Sequence, residues 1–296
     1  MNLSRICRHL AASLLSLGLL VCGLNAPASA VEVLRVGATP GENIELTRSR
    51  YQLIIDYIQK HTGIKTELYL ATDYTGVIEA MRAGKIDVAS FGPLSYVLAA
   101  DVAGAEAFAK EYREGAGSMY IGYIITRSDS PIQNIRDLNG HSFGFVDPAS
   151  TGGNLIPRMN MLKNGIDPDK DLSTSTYLGS HDQVALAVAN KRVDAGAVMN
   201  FNFEAFLDRG TVPASEFKII HKSDPFPGSA WCFRKDLDQA TKDKVKAAMF
   251  GINIKTCPEL KDFLRKIEKY QPAQDSDWDS LRETVHILHI DLKNSK

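Results

Sequence analysis

The residues best suited to chemistry lie in "DPASTGGNLIPR", Asp147 to Arg158. Ser150, Thr151 and Gly152 stand between the strand-like "HSFGFV" and "NLIPRMNML", which has helical character, so they fall near a helix N-terminus. Up to four backbone N–H groups there lack intrahelical acceptors, and the helix dipole adds a partial positive charge. Such an end takes an oxyanion readily; two hydroxyls add donors, and glycine permits close approach to the backbone. The same residues also suit an ordinary Ser or Thr N-cap on a glycine-rich turn. No lysine follows the glycines where a nucleotide-binding P-loop needs one, and GxGxxG is absent.

His181, in "SHDQVALAVANKRVDAGAV", stands beside a second helix start, where it could donate to an anion or simply neighbour a Ser180 cap. Tyr74 and Tyr96 follow strand-like stretches and offer phenol donors, with core packing as the plainer role. A secreted hydrolase would use Ser150 as nucleophile and His181 as base, but "ASTGG" is not the GxSxG elbow such a site needs. No enzyme is expected. Neither CxxC nor HExxH occurs, and seven scattered histidines make no site, so no metal or other cofactor is expected.

The elements that must position these residues alternate. "VEVLRVGATP" is a strand ending at a Pro-Gly turn; "YQLIIDYIQKHTG" has helical spacing and stops on Gly63; "KTELYLA" is the next strand. A helix around Val77 to Arg82 and a short strand around Val88 to Phe91 follow. A second set runs from "YIGYIIT" through "HSFGFV", the helix closed by Gly165, "STSTYL", "HDQVALAVANKR" and "VDAGAVM". The last 60 residues read as mainly helical, in "QATKDKVKAAMFGI" and "CPELKDFLRKIEKY", with Asp275 to Asp279 capping a final helix. Alternation of this kind predicts an α/β layered fold with mostly parallel pairing.

The N-terminus fixes the expected compartment. Arg5 and Arg8, the apolar "LAASLLSLGLLVCGL" and the small residues Ala28-Ser29-Ala30 read as a secretory signal peptide, residues 1–30, cleaved after Ala30. Val21 before Cys22 disfavours a lipoprotein. Net charge is −1 for the whole chain, and loss of the two leader arginines moves the mature protein to about −3. No basic excess recommends nucleic acid as a partner. Cys232 and Cys257 remain in an oxidising compartment, as a disulfide or as two buried thiols.

Four stretches in this order, "LRVGATP", "DYTGVIEAMRAGKIDVASFGPLSYVLA", "DPASTGGNLIPR" and "SHDQVALAVANKRVDAGAV", resemble the periplasmic phosphonate-binding proteins of ABC importers, the PhnD-like family that includes phosphite binders. The resemblance spans nearly the whole mature chain. It implies a type II periplasmic binding protein: residues 31–121 with 232–296 as one lobe, residues 122–231 as the other, and crossover strands near Tyr120 to Thr126 and His221 to Phe233 as hinge. It implies an inner-membrane ABC permease and ATPase complex as partner, a small phosphorus oxyanion as ligand, and a monomer. A sensor that presents its closed form to a membrane kinase is the alternative output of the same fold.

In that family the serine-threonine turn holds the phosphorus oxygens; Ser150 and Thr151 match it, and Gly152 stands where serine is usual. Tyr74, Tyr96 and His181 match further family ligand residues. Binders of aminoalkylphosphonates carry cleft carboxylates for the ammonium group. Here "VMNFNFE" and "DPFPGSAW" put Asn200 or Phe201, and Gly228 or Ser229, at those places, with Glu204 or Asp224 as substitutes under a short shift. The expected ligand has no cationic tail: phosphite, methylphosphonate or phosphate, with Phe201 and Trp231 as apolar walls.

Overall fold

Alternating apolar residues start the fold: Leu34 and Val36 of β1 (Val33–Ala38) are fully buried. The computed structural model describes residues 31–287, so the leader read in residues 1–30 lies outside the described residues. Asn43 caps α1 (Ile44–Thr62) through its side chain, and Gly63 ends it in the left-handed conformation, φ 70°. Then come β2 (Lys65–Leu70), α2 (Tyr74–Arg82), β3 (Val88–Phe91), α3 (Pro93–Ala103) and β4 (Glu106–Arg113).

A short β5 (Met119–Tyr120) leads to β6 (Gly122–Arg127), β7 (Ser142–Phe145), α4 (Ile156–Lys163), β8 (Thr174–Tyr177), α5 (His181–Ala189), β9 (Ala195–Met199), α6 (Asn200–Asp208) and β10 (Phe217–Lys222). The chain returns through β11 (Phe226–Pro227), which pairs with β5. It ends in β12 (Ala230–Phe233), α7 (Gln239–Phe250), α8 (Lys261–Leu264), β13 (Ile267–Pro272) and α9 (Asp279–Ile287).

Two mixed sheets result: a six-stranded one in the order β13-β4-β12-β3-β1-β2, and a five-stranded one in the order β10-β6-β9-β7-β8. Pairing is less parallel than alternation predicts. Strands joined through helices, β1 with β2 and β3 and β7 with β8 and β9, are parallel. β12 arrives from the other sheet, not over a crossover helix of its own, and runs antiparallel to β3 and β4. β13 with β4, and β6 with β9 and β10, are antiparallel as well.

"CPELKDFLRKIEKY" is not one helix. α8 covers a single turn, Arg265 breaks it at φ 52°, and β13 follows with Ile267 and Tyr270 buried. A short apolar run suits either element by pattern, and the edge of β4 decides it. α3 and β4 were also unannounced: α3 is buried from Pro93 through Ala99 and shows no polar face. Cys232 and Cys257 are free thiols, both buried, and burial pushes the Cys232 thiol well up.

Candidate functional site

Four helix starts converge on one cavity. The first residues of α2, α3, the turn before α4 and α5 are Tyr74, Pro93, Thr151 and His181, and all four line a cavity of about 440 Å³. Each start contributes the positive end of a dipole. Pro93 has no N–H, the Tyr74 amide is bonded to Asp147 Oδ2 and the His181 amide to the Gly41 carbonyl; among the described residues, the Thr151 and Gly152 amides are the ones without a protein acceptor. Ser150 and Gly152 line the cavity too.

The turn after β7 is built from its own short-range bonds. Asp147 accepts from the Ala149 amide through Oδ1 (2.8 Å) and from the Ser150 amide through its carbonyl (2.9 Å). Ser150 is an N-cap whose Oγ accepts from the Gly153 amide at 3.1 Å, and Thr151–Leu155 form one π-helical turn before α4. Thr151 and Gly152 therefore begin the helical spiral with N–H groups that have no intrahelical acceptor. A Cβ on Gly153 would come 2.3 Å from Val146 Cγ2, so only glycine fits there. A Cβ on Gly152, where the resemblance expects serine, would come 3.2 Å from Met199 Cβ and 3.3 Å from Phe226 Cζ, a tight fit.

His181 is buried, and its Nδ1 accepts from the Met199 amide at 3.1 Å. The proton of the neutral ring is thereby assigned to Nε2, leaving it as a donor. Burial lowers its pKa to about 4, so the ring stays neutral at physiological pH. Burial also raises Tyr74, with the Asp147 carboxylate adding to it, which keeps the phenol a neutral donor.

A stability test follows from His181. Its folded pKa of about 4 lies below the ordinary 6.5, so the unfolded chain binds the extra proton between those values. The ring's contribution is full above pH 6.5 and is lost as pH falls toward 4, about 3 kcal/mol in all. Urea unfolding at pH 7 and pH 4.5 should show a smaller pH effect in His181→Gln than in the wild type. An identical pH effect in both proteins would contradict the neutral, buried ring.

Tyr96 requires a correction. It does not line the cavity; its hydroxyl donates to Asp275 Oδ1 at 2.5 Å and its ring packs on Trp278 with centroids 4.5 Å apart. The fully buried side chain faces the single turn Asp275–Trp278 that precedes α9. Trp231 is no cavity wall either: it is 0% exposed, between Tyr51 and Tyr270. Phe201 and Glu204 do line the cavity, Glu204 paired with Lys266 Nζ at 2.6 Å. Ser229 lines it, and its Oγ donates to the Tyr120 hydroxyl oxygen at 3.0 Å; Asp224 and Gly228 do not line it.

Sequence reasoning missed Arg50, Tyr51, Ser90, Glu111, Arg113 and Tyr120, all lining residues. The Tyr51 hydroxyl donates to Ser90 Oγ at 3.1 Å, and Tyr120 and Arg113 Nη2 each donate to Glu111 Oε2 at 2.6 Å. Arg113 and Glu111 sit two apart on β4, and the alternation of a charged pair facing one way was the available signal.

Contacts join the two sheet groups around the cavity. Leu94 N donates to Thr151 Oγ1 at 2.7 Å, Ser95 Oγ to the Ala149 carbonyl at 2.9 Å, and the His181 amide to the Gly41 carbonyl at 3.3 Å. Arg209 donates to Glu42 Oε1 at 2.8 Å and Asp182 Oδ2 at 3.0 Å, and Arg265 Nη2 reaches the same Glu42 at 2.7 Å. Burial alone would raise the Glu42 carboxyl, but the guanidiniums of Arg50, Arg265 and Arg209 together hold it below its ordinary value. Among the described residues no group of three or more His, Cys, Asp or Glu is placed to hold a metal ion.

A family profile described as "ABC transporter, phosphonate, periplasmic substrate-binding protein" matches residues 36–278. The chain belongs to this family. It is 32% identical over 279 residues to the phosphate-import protein PhnD of Mycolicibacterium smegmatis, covering 86% of each chain. With the phosphonates-binding periplasmic protein of Escherichia coli it shares 33% over 252 residues, 82% of this chain and 73% of that one. A binding-protein component of an ABC phosphonate transporter from Pseudomonas aeruginosa superimposes with a TM-score of 0.81 at 28% identity, covering 87% and 86%.

The two mixed sheets are those of type II periplasmic binding proteins. The chain is thus a periplasmic substrate-binding protein of an ABC transporter of the phosphonate, phosphite and phosphate type. It binds and does not catalyse, so the hydrolase reading of Ser150 and His181 falls.

Proposed function

We propose that this phosphonate-family protein binds a small phosphorus oxyanion against Ser150, Thr151, Gly152, Tyr74 and His181, and passes it to an inner-membrane permease and ATPase complex. The convergence of four helix starts on one cavity carries this reading. The donors are neutral: backbone amides, hydroxyls and an imidazole Nε2. Each makes a charge-assisted bond with an anion, stronger than a neutral one. Two relatives carry phosphate and phosphonates in their names.

Residues 31–121 with 232–296, and residues 122–231, act as two lobes about the β5–β11 pair. Thr151, Ala149 and His181 bond across them, so ligand and closure are coupled through the same turn. The leader, residues 1–30, directs export and is removed, and the mature protein works as a monomer in the periplasm.

Protein purified from the periplasm, unfolded and refolded to strip carried ligand, tests this by calorimetric titration with phosphite, methylphosphonate, phosphate and sulfate. Saturable one-to-one binding of a phosphorus oxyanion, with sulfate weaker, is expected. No heat with any of them would remove the assignment.

A further inference from the structure

One set of contacts between residues 31–121 with 232–296 and residues 122–231 is made by the serine-threonine turn, where Thr151 Oγ1 accepts from Leu94 N and the Ala149 carbonyl from Ser95 Oγ. A second set is made by side chains of α6 and the residue that follows it. Asn202 Nδ2 donates to the Gly41 carbonyl at 3.3 Å, Glu204 Oε2 accepts from Lys266 Nζ at 2.6 Å, and Arg209 Nη1 donates to Glu42 Oε1 at 2.8 Å. The oxyanion donors are neutral, whereas two of these α6 contacts are ion pairs.

Both halves of the Arg209–Glu42 pair are held from their own side. Arg209 Nη2 donates to Asp182 Oδ2 at 3.0 Å, and Arg265 Nη2 donates to both Glu42 oxygens, at 2.7 and 3.0 Å. Little side-chain freedom is then lost when the two meet. The Lys266–Glu204 pair is more open, with side chains 59% and 33% exposed, and Asp208 and Arg113 act on Lys266 with opposite signs. An exposed pair is worth little when one charge is removed, but like charges set face to face across an interface repel. A bond across the lobes exists only while they are together, so it raises the population of that arrangement, and apparent affinity follows the population.

We propose that α6 is the clasp of the cleft: Arg209 with Glu42 and Glu204 with Lys266 are positioning pairs that set ligand affinity by holding the lobes together, without touching the anion. This rests on the two-lobe reading above, with the oxyanion at the serine-threonine turn.

Charge exchange at the open pair tests it, by calorimetric titration of the refolded protein with methylphosphonate and phosphite. Lys266→Glu and Glu204→Lys should each raise both Kd values by about five- to tenfold, and the double exchange should return them to within about twofold of wild type. The ratio of the two Kd values should stay at the wild-type figure in all three variants, because no donor to the anion has changed. Single variants with wild-type Kd, a double exchange no better than the singles, or a changed ratio would overturn the clasp and leave the oxyanion site standing. Absence of binding in the wild type would overturn the site itself. If a reversed variant does not fold, Lys266→Met decides: its Kd should rise about two- to threefold, and an unchanged Kd would overturn the clasp.

Discussion

Replacing Thr151 by valine should weaken methylphosphonate binding by about 2–3 kcal/mol, a roughly 30- to 150-fold rise in Kd. Valine keeps the shape of the side chain and removes only the hydroxyl. Thr151 Oγ1 accepts from the Leu94 amide at the start of α3, and its proton is free for an anion oxygen. The substitution therefore deletes a charge-assisted bond and leaves the buried Leu94 amide without an acceptor in the closed form. Titration calorimetry with wild type and variant reads the change. A Kd within threefold of wild type would mean that the anion is held elsewhere.

Glu42→Gln should cost about 3 kcal/mol of unfolding free energy at pH 7, the low end of what breaking a buried ion pair costs. Glu42 is 2% exposed and faces three guanidiniums, which keep their charge when the carboxylate is gone. The low end applies because the side chains of Arg50, Arg209 and Arg265 are 24–29% exposed and partly solvated. The folded pKa of Glu42 is lowered, so its contribution is present above the unfolded value and is lost as pH falls through the folded one. Urea midpoints of wild type and variant should differ at pH 7 and draw together in acid below the ordinary carboxylate pKa of 4.5. A variant as stable as wild type at pH 7 would show that the arginines do not depend on this carboxylate.

The serine-threonine turn was legible because a helix start is written locally: strand, small donors, helix. His181 was legible for the same reason, with Ser180 as its cap accepting from the Gln183 amide at 3.4 Å. Tyr96 was not, because the first turn of α3 places Pro93 at the cavity and turns Tyr96 toward Asp275, 179 residues away. The arginine wall was not legible either. Arg50 comes from α1, Arg113 from β4 and Arg209 from the end of α6, and only the return of β12 and β13 beside β4 completes the sheet that sets them together. That antiparallel return has no periodic signature, and β13 itself had been read as helix. Short-range chemistry could be read from spacing; long-range pairing could not.

The crystal structure of the refolded protein with methylphosphonate tests the central claim most directly. The phosphonate oxygens should lie within hydrogen-bonding distance of the Thr151 and Gly152 amides, the Thr151 hydroxyl and His181 Nε2. A phosphonate bound instead at Arg113 and Arg50, with the serine-threonine turn occupied by water, would contradict it.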